Sequence, residues 1–449
     1  MKFGTDGVRG AALTELTVEY AAALGRAAAR TLGGGRWLLG RDTRESGPVL
    51  EAAVAAGLAA GGAEPVSVGV VPTPALAWLA AQAGVPAAMI TASHNPWHDN
   101  GVKIFGAGGL KLTDEVERGI EAAIDLGTPV ALHELPVDAA AFHSYGQHMA
   151  ADEGSLRGLS VVLDCANGAM SGVAPQVFER LGASITVLHA APDGRNINLA
   201  CGATDVHSLA AAVVANGAHM GLAFDGDGDR VIAVDHMGRT VDGDRLIALA
   251  ALRLREQQAL HHDTVVVTVM SNIGFHRAMA AAGVQVVTTA VGDRYVLEAL
   301  EAGGFSIGGE QSGHIIYRDH ATTGDGLLAG VRLAQHVHGS GRSLAELADS
   351  VMVGYPQVLL NVRVADRHPH AASELADEIA EAERALAGDG RVLVRASGTE
   401  PLVRVMVEAA TDAVATAVAQ RRAAASADLP DPPAGASVTC STCAASWRS

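Results

Sequence analysis

Three stretches of this chain share one pattern, in which an apolar strand runs into a loop of small and polar residues. They cover residues 36–44, 159–169 and 263–274, and they recur at intervals of roughly a hundred residues. Each is followed by an Ala/Leu-rich helical pattern and then by a further strand. Repeated β–α–β alternation predicts α/β domains in series with parallel or mixed sheets, whose chemistry collects in loops at the carboxyl ends of strands.

The carboxyl-terminal part follows a different pattern. From about residue 355 the order is strand, helix, strand, strand, helix, which predicts a smaller α+β domain. The last segment is rich in Pro, Ser and Ala without periodicity and is expected to be disordered. The predicted domains are α/β at 1–153, 154–254 and 255–354 and α+β at 355–426, followed by a tail at 427–449.

Composition excludes several classes of protein. A formal net charge of −17 argues against nonspecific binding of nucleic acid and against attachment to an anionic membrane. The chain shows neither a signal-peptide pattern nor an apolar run of about 18–20 residues, so the cytoplasm is the expected location. Cys165 and Cys201 stand alone in the sequence, and Cys440 and Cys443 lack the second ligand pair of a structural zinc site.

An acidic loop gives the sharpest chemical signal. Asp225, Asp227 and Asp229 follow an apolar strand and are separated only by glycines. In an extended backbone, residues two apart project the same way, so the three carboxylates should converge and require a cation. Oxygen ligands favour Mg²⁺. The loop is not an EF-hand, because Arg230 and His236 occupy the positions that would require Gly and Glu.

Two other interpretations of this loop remain open. One is an ordinary acidic hairpin turn. The other is a phosphatase that uses Asp225 as its nucleophile, since such enzymes also place two aspartates at i and i+2 after an apolar strand. Asp229 stands where those enzymes usually have a small hydroxylated or β-branched residue, which weakens that alternative.

A serine follows another apolar strand. Residues 87–90 run into Ser93 and His94, with Lys103 beyond a turn. Asn95 and Pro96 alone would indicate only a helix cap. Together with a metal loop elsewhere in the chain, these neighbours favour a hydroxyl that carries a phosphoryl group covalently.

A third loop has the residues of a phosphate cradle. Ser397, Gly398 and Thr399 lie between two predicted strands, flanked by Arg395 and Arg404. Backbone N–H groups, hydroxyls and guanidinium forks together favour phosphate binding over the alternative of a plain turn.

Weaker signals lie elsewhere. Glu310, Ser312 and His314 alternate along a predicted strand, where a carboxylate could accept hydrogen bonds from sugar hydroxyls. A polar strand edge explains the same alternation equally well. Arg9 and Arg294 lie on glycine-containing loops and are further candidates for an anionic ligand.

Four motifs in order, TASHNP, DGDGDR, GEQSGH and RASGTEPLVRV, resemble the α-D-phosphohexomutase superfamily over roughly residues 1–410. The stretches FGTDGVRG and VGDRYV, together with Gln311, are similar to the branch that acts on amino-sugar phosphates. The resemblance implies four domains around a central cleft, three of them related α/β domains. Two features depart from the family: Ala396, where proline is common, and the tail.

The resemblance also implies a role for each candidate residue. Ser93 would be the phosphoserine and would hold Mg²⁺ together with the three aspartates. The remaining implied roles are acid or base for Lys103, with His94 and Arg230 nearby; sugar binding for Glu310, Ser312 and His314; and binding of the non-reacting phosphate for Arg395, Ser397, Gly398, Thr399 and Arg404, with Arg9 and Arg294 as further substrate ligands.

The implied reaction interconverts glucosamine 6-phosphate and α-glucosamine 1-phosphate through a sugar bisphosphate, which also primes the enzyme. This reaction would supply precursors for the cell wall. The alternatives are glucose or mannose phosphates as substrates, the aspartyl phosphatase, and a noncatalytic sensor of sugar phosphates. The expected partner is the sugar phosphate alone, with a homodimer left open.

Overall fold

The computed structural model describes residues 1–4, 6–127, 131–132, 135, 137–138, 140–151, 154–364, 368, 370–396 and 402–427. The chain divides into two compact units, one formed by residues 1–271 and 275–353 and the other by residues 272–274 and the chain from 354. The predicted disordered tail lies outside the described residues from 428 onward, as do Cys440 and Cys443. The predicted domain limits stay predictions.

The larger unit contains three mixed sheets with helices between their strands. The first has strand order β1-β5-β4-β2-β3, the second β10-β9-β8-β6-β7 and the third β12-β11-β13-β14. The strands are β1 (Val8–Ala11), β2 (Gly35–Arg41), β3 (Ala63–Val70), β4 (Ala87–Ile90), β5 (Asp99–Phe105), β6 (Ser160–Asp164), β7 (Ser184–Leu188), β8 (Met220–Phe224), β9 (Val231–Asp235), β10 (Thr240–Val241), β11 (Thr264–Thr268), β12 (Gln285–Thr289), β13 (Ile307–Gly309) and β14 (Ile315–Tyr317). The helices are α1 (Val18–Leu32), α2 (Gly47–Ala60), α3 (Thr73–Ala83), α4 (Asp114–Ala122), α5 (Ala140–Ala151), α6 (Met170–Arg180), α7 (His207–Ala215), α8 (Gly243–Glu256), α9 (Ile273–Ala281), α10 (Asp293–Gly303), α11 (Gly326–Ser340) and α12 (Leu344–Val351), with short 3₁₀ turns at Gly202–Thr204 and His261–Asp263.

The smaller unit is built on an antiparallel sheet of order β15-β17-β16. Its strands are β15 (Gln357–Arg363), β16 (Gly390–Ala396) and β17 (Leu402–Ala409), and its helices are α13 (Ala371–Glu374), α14 (Ala376–Ala385) and α15 (Asp412–Ala427). The predicted fold class, three α/β domains with mixed sheets and a smaller α+β domain, is confirmed.

The three larger sheets repeat one topology. In each, the first strand of a parallel trio lies in the middle, and the third strand turns back into an antiparallel partner. The turns in question are β4–β5, β8–β9 and β13–β14. These turns carry Ser93, the three aspartates and Glu310 respectively, so three of the predicted motifs occupy the same place in three related sheets.

Small residues let helices approach closely, as the Ala- and Gly-rich composition predicts. A Cβ atom on Gly57 of α2 would lie 1.9 Å from the carbonyl oxygen of Ala22 in α1. Because no side chain larger than hydrogen fits there, the backbones of these two helices pack directly against each other over the first sheet.

Candidate active site and metal centre

The acidic loop is a tight, buried turn between β8 and β9. Asp225, Asp227 and Asp229 each present a carboxylate oxygen, and these oxygens all lie within 4.8 Å of one another. The N–H of Gly228 donates to the Asp225 carbonyl at 3.1 Å, and Gly228 has φ +73°. The carboxylates therefore converge because the chain turns, and the extended-strand geometry expected from the sequence is wrong.

A lysine neutralises this group of carboxylates. Lys103 Nζ lies 2.8 Å from Asp227 Oδ2, 3.0 Å from Asp229 Oδ2 and 2.8 Å from Asp6 Oδ2. Burial alone would lower the pKa of Lys103, but the three carboxylates raise it well above its ordinary value. Lys103 is therefore an ammonium ion at neutral pH and the main positive charge at the turn.

The aspartates differ in their protonation. Burial raises the pKa of Asp225 well above its ordinary value, and the charges of Asp229 and Asp227 raise it further. Burial also opposes ionisation of Asp229, but Lys103 and His314 outweigh it and hold the pKa of Asp229 well below its ordinary value. One end of the turn thus favours a proton while the other remains charged.

The turn has the donor set of a site for a hard cation. Asp227 Oδ1 and Asp229 Oδ1 are buried without a hydrogen-bond partner. A buried oxygen without a hydrogen-bond partner destabilises the folded state unless an ion or a water molecule binds it. Carboxylate oxygens suit Mg²⁺ or another hard divalent ion, so the residues present fit the metal that the sequence predicts.

Ser93 projects into this group from the β4–β5 turn. Its Oγ donates to Asp225 Oδ2 at 2.7 Å and lies 3.3 Å from His94 Nδ1. Burial, with the charges of Arg230 and Arg9, lowers the pKa of His94 to about 4, so its imidazole is neutral. Ser93 has φ +53°, a left-handed conformation that its surroundings must maintain.

An arginine that sequence reasoning missed holds the serine loop. Arg44 is buried and donates to the carbonyls of Ser93 at 2.9 Å, Asn95 at 2.8 Å and Asp99 at 3.0 Å, and also to that of Pro96. One guanidinium therefore fixes four backbone carbonyls, which uses the planar fork that lysine lacks.

Asp42 and Asn198 complete this support. Asp42 Oδ2 accepts from Arg44 Nε at 2.9 Å and from the Thr91 hydroxyl at 2.7 Å. Asn198, from the second sheet's loops, donates to the Ser93 carbonyl at 2.9 Å and to the Asn95 carbonyl at 3.1 Å. The Asp-x-Arg pair directly after β2 was a signal available in the sequence, whereas nothing local indicated Asn198.

Close approach of the two turns depends on Gly226. A Cβ atom there would lie 2.6 Å from the Ser93 carbonyl oxygen and 2.8 Å from Asn198 Nδ2. A side chain would separate the aspartate turn from the serine loop, which gives the glycine in this motif a packing role.

The third turn carries Glu310, Ser312 and His314 in three different settings. The stretch is a turn, with the Gly313 N–H donating to the Glu310 carbonyl at 3.0 Å, so the predicted strand alternation is wrong. Ser312 is exposed and Glu310 is half-buried, its Oε1 accepting from the Gly292 N–H at 3.2 Å.

His314 is buried behind the aspartate turn. Its Nδ1 lies 3.7 Å from Asp229 Oδ1 and its Nε2 3.5 Å from Asp293 Oδ2. Burial opposes the charged imidazole, but Asp229 and then Asp293 raise the pKa of His314. The structure thus groups His314 with the carboxylates of the metal turn.

The predicted arginines also differ in their surroundings. Arg294 is paired with Asp114 and with Glu117, the latter at 2.5 Å. Arg9 contacts Asp6 at 2.5 Å, yet its Nε and that of Arg230 are buried without a hydrogen-bond partner. Arg9, Arg230 and also Arg294 therefore each retain an Nε donor, but the other two nitrogens of Arg294 are engaged by protein carboxylates.

In the smaller unit, Arg395 and Arg404 are directly opposite each other on β16 and β17. The Nε atom of each is buried without a hydrogen-bond partner in the described part of the chain. Burial and then the charge of Arg404 lower the pKa of Arg395. Two like charges in register are unfavourable unless an anion joins them. Ser397, Gly398 and Thr399 lie outside the described residues.

Family models match four successive parts of the chain. They are the phosphoglucomutase/phosphomannomutase alpha/beta/alpha domains I, II and III, at residues 1–129, 143–238 and 242–355, and the carboxyl-terminal domain at 359–425. None of the helices in the described residues has the length and apolar character that crossing a membrane requires.

Individual relatives agree with these matches. Proteins named phosphoglucosamine mutase from Frankia casuarinae and Rhodococcus jostii are each 52% identical, covering 94% of this chain and 97% and 98% of their own. A crystal structure of a phosphoglucomutase/phosphomannomutase family protein from Burkholderia thailandensis is 26% identical with a TM-score of 0.78, covering 94% of this chain and 97% of that one.

Proposed function

The chain belongs to the phosphoglucomutase/phosphomannomutase family of isomerase-class phosphomutases, and on that premise we propose that it interconverts glucosamine 6-phosphate and α-glucosamine 1-phosphate. The amino-sugar assignment is supported by the name shared by relatives that are 52% identical over most of the chain. The product would feed amino-sugar synthesis for the cell wall.

The observation that carries the proposal is the position of Ser93. Its hydroxyl lies 2.7 Å from Asp225 inside a buried group of carboxylates, where a phosphoryl group on Oγ would meet a cation. We propose that Ser93 carries the phosphoryl group in the active enzyme, and that a sugar bisphosphate restores it after loss.

Asp225, Asp227 and Asp229 would hold the ion, Mg²⁺ by its preference for oxygen ligands. When bound, that ion would offset negative charge on the phosphoryl oxygens. Asp225 is fully buried with a raised pKa, and it accepts the Ser93 hydroxyl hydrogen. Because Asp225 Oδ2 already accepts the Ser93 hydroxyl hydrogen and its carboxylate is one of the proposed ligands of the ion, this geometry favours Ser93 over Asp225 as the nucleophile, which argues against the aspartyl phosphatase.

The protein's own groups then move the proton and position the charges. In transfer from phospho-Ser93 to a sugar hydroxyl, that hydroxyl loses a proton and Ser93 Oγ gains one. Neutral His94 is placed to exchange a proton with Oγ, and the Lys103 ammonium is a donor beside the same carboxylates. The free Nε donors of Arg9 and Arg230 suit the reacting phosphate.

The remaining candidates would hold the rest of the substrate. We assign the sugar hydroxyls to Glu310 and Ser312 and the non-reacting phosphate to Arg395 and Arg404, whose like charges an anion would join. The hydroxyls of Ser397 and Thr399 and the backbone N–H groups of their loop belong to the same proposal. A cytoplasmic location and a homodimer stay predictions.

The test combines chemistry and specificity. Peptide mass spectrometry should find phosphate on Ser93 of the active enzyme, and Ser93→Ala should lose nearly all mutase activity while remaining folded by circular dichroism, since loss of its one buried hydrogen bond costs only about 0.5–1.5 kcal/mol. Near wild-type turnover in that variant would reject the phosphoserine. In a parallel assay, equal or greater activity on glucose or mannose 1-phosphate would reject the amino-sugar assignment.

A further inference from the structure

A second group of metal-ligating side chains lies outside the aspartate turn. Asp164 at the end of β6, His189 after β7 and Cys201 each present a ligand atom, and these atoms all lie within 4.8 Å of one another. The three residues come from separate segments of the second sheet's loops. Sequence reasoning left Cys201 alone because its neighbours are distant along the chain.

The imidazole in this group lacks a hydrogen bond despite a close carboxylate. His189 Nδ1 is 3.1 Å from Asp164 Oδ1, but this nitrogen is buried and makes no hydrogen bond in the described structure. Its N–H direction therefore does not point at the oxygen. A nitrogen and an oxygen at such a distance, but not aimed at each other, suit an ion that both can reach.

Asp164 is held in place and retains ligand capacity. Its Oδ1 accepts from the Ala166 N–H at 2.9 Å and its Oδ2 from the Gly202 N–H at 3.0 Å. A carboxylate offers about four lone-pair sites, so two backbone bonds orient the group without exhausting it. Such backing is typical of the carboxylate and histidine ligands in metal sites.

We propose that Asp164, His189 and Cys201 form a binding site for a divalent transition-metal ion of the Zn²⁺ type, which is intermediate between hard and soft, and that this site is separate from the Mg²⁺ site. Three ligands of the types O, N and S are the set that Zn²⁺ accepts, with water in the fourth position. Mg²⁺ requires oxygen ligands and does not take a thiolate. The two sites thus select different metals.

Proton release accompanies binding at this site. A cysteine binds a metal ion as its thiolate, so the Cys201 thiol has to lose its proton on binding. Coordination replaces the S–H bond by a metal–sulfur bond and releases one proton to solvent. Cys201 and Asp164 are fully buried, whereas the His189 side chain is 30% exposed, so the ion enters beside His189.

The site lies beside the residue that supports the serine loop. The Asn198 N–H donates to the Ala166 carbonyl at 2.9 Å, and the Asn198 side chain holds the Ser93 carbonyl. An ion shared by Asp164 and Cys201 would join the segments on either side of Asn198. Binding to the folded state alone raises stability with ion concentration, so Zn²⁺ should raise the melting temperature.

The experiment uses Co²⁺ as a spectroscopic substitute for Zn²⁺ on the full-length chain carrying Cys440→Ser and Cys443→Ser, which removes the tail thiols. We expect a thiolate-to-cobalt charge-transfer band at one equivalent, displaced by Zn²⁺ and unaffected by millimolar Mg²⁺. Cys201→Ser should abolish the band. His189→Gln should weaken Co²⁺ affinity at least tenfold, whereas the matched control Cys165→Ser, at another buried cysteine, should leave it unchanged.

Two results would overturn the proposal: no thiolate band in the tail-thiol variant, or a band that persists in Cys201→Ser. Circular dichroism establishes that each variant is folded, and His189→Gln tests the site at a partly exposed position should Cys201→Ser fail to fold. Asp225→Asn should retain the band. Because the readout is spectroscopic, it is independent of whether the proposed mutase reaction is correct.

Discussion

Replacing Lys103 by methionine separates the lysine's structural role from that of the metal. Lys103 contacts Asp6, Asp227 and Asp229, so Lys103→Met removes the cation from the two buried carboxylates of the metal turn, whereas Asp6 keeps Arg9 and Lys111. Methionine is of similar length and places no new charge in the site. Lys111 is the matched control, because it is largely buried and paired with Asp6 and Asp293 but does not contact the metal turn.

The size of the effect follows from the burial of these charges. Removing one partner of a buried ion pair costs about 3–5 kcal/mol. At about 2–4 °C per kcal/mol for a large domain, the metal-free variant should melt roughly 6–20 °C below wild type. Mg²⁺ at a hundred times its Kd stabilises the folded variant by about 2.7 kcal/mol. At the same Mg²⁺ concentration the stabilisation of wild type should be smaller, because the Lys103 ammonium competes with the ion.

The assay is thermal melting of wild type, Lys103→Met and Lys111→Met, each in EDTA and in a Mg²⁺ titration. We expect both variants to be destabilised in EDTA, Lys103→Met to gain more stability from Mg²⁺ than wild type and to bind it at least tenfold more tightly, and Lys111→Met to gain only the wild-type amount. Equal recovery of the two variants, or no loss in EDTA for Lys103→Met, would refute the view that Lys103 neutralises the metal turn.

Three further predictions test other contacts. Gly226→Ala should lower mutase activity at least a hundredfold and reduce phosphate on Ser93 by mass spectrometry, because a Cβ would lie 2.6 Å from the Ser93 carbonyl oxygen; wild-type turnover would contradict this packing role. Burial raises the pKa of Asp325, which accepts the Tyr145 hydroxyl, to about 6 from an ordinary 3.8. The folded state therefore binds more protons between about pH 4 and 6, and stability from this group falls as pH rises through that window; Asp325→Asn should remove this slope in melting curves, and an unchanged slope would count against it. Arg404→Lys should raise KM about tenfold or more and lower kcat, because lysine lacks the bidentate fork; unchanged steady-state kinetics would show that Arg404 does not bind the phosphate.

The sequence determined which segments form strands and which loops carry chemistry. Apolar runs such as residues 87–90 and 160–164 became β4 and β6, because a short apolar run bounded by turn residues favours a buried strand. The polar residues that follow these strands lie in turns because they lack the apolar side chains that a buried strand requires. The order of four motifs further identified the family, which local patterns could not have done.

The way the turns meet was decided by the tertiary structure. Asp225, Asp227 and Asp229 converge through a turn with Gly228 at positive φ, and His314 faces Asp229, although strand periodicity predicted another direction for both stretches. Periodicity describes a backbone that continues as a strand, and it fails where the chain reverses.

Long-range partners were likewise beyond the sequence. Lys103 pairs with Asp227 across 124 residues, and Asn198 reaches the Ser93 carbonyl across 105. Cys201 lies beside His189 and Asp164 only in the folded chain. Such contacts depend on which sheet edges pack together, and they fix the protonation and the ligands that a residue has, because a pKa depends on the charges and burial around a group and not on its position in the chain.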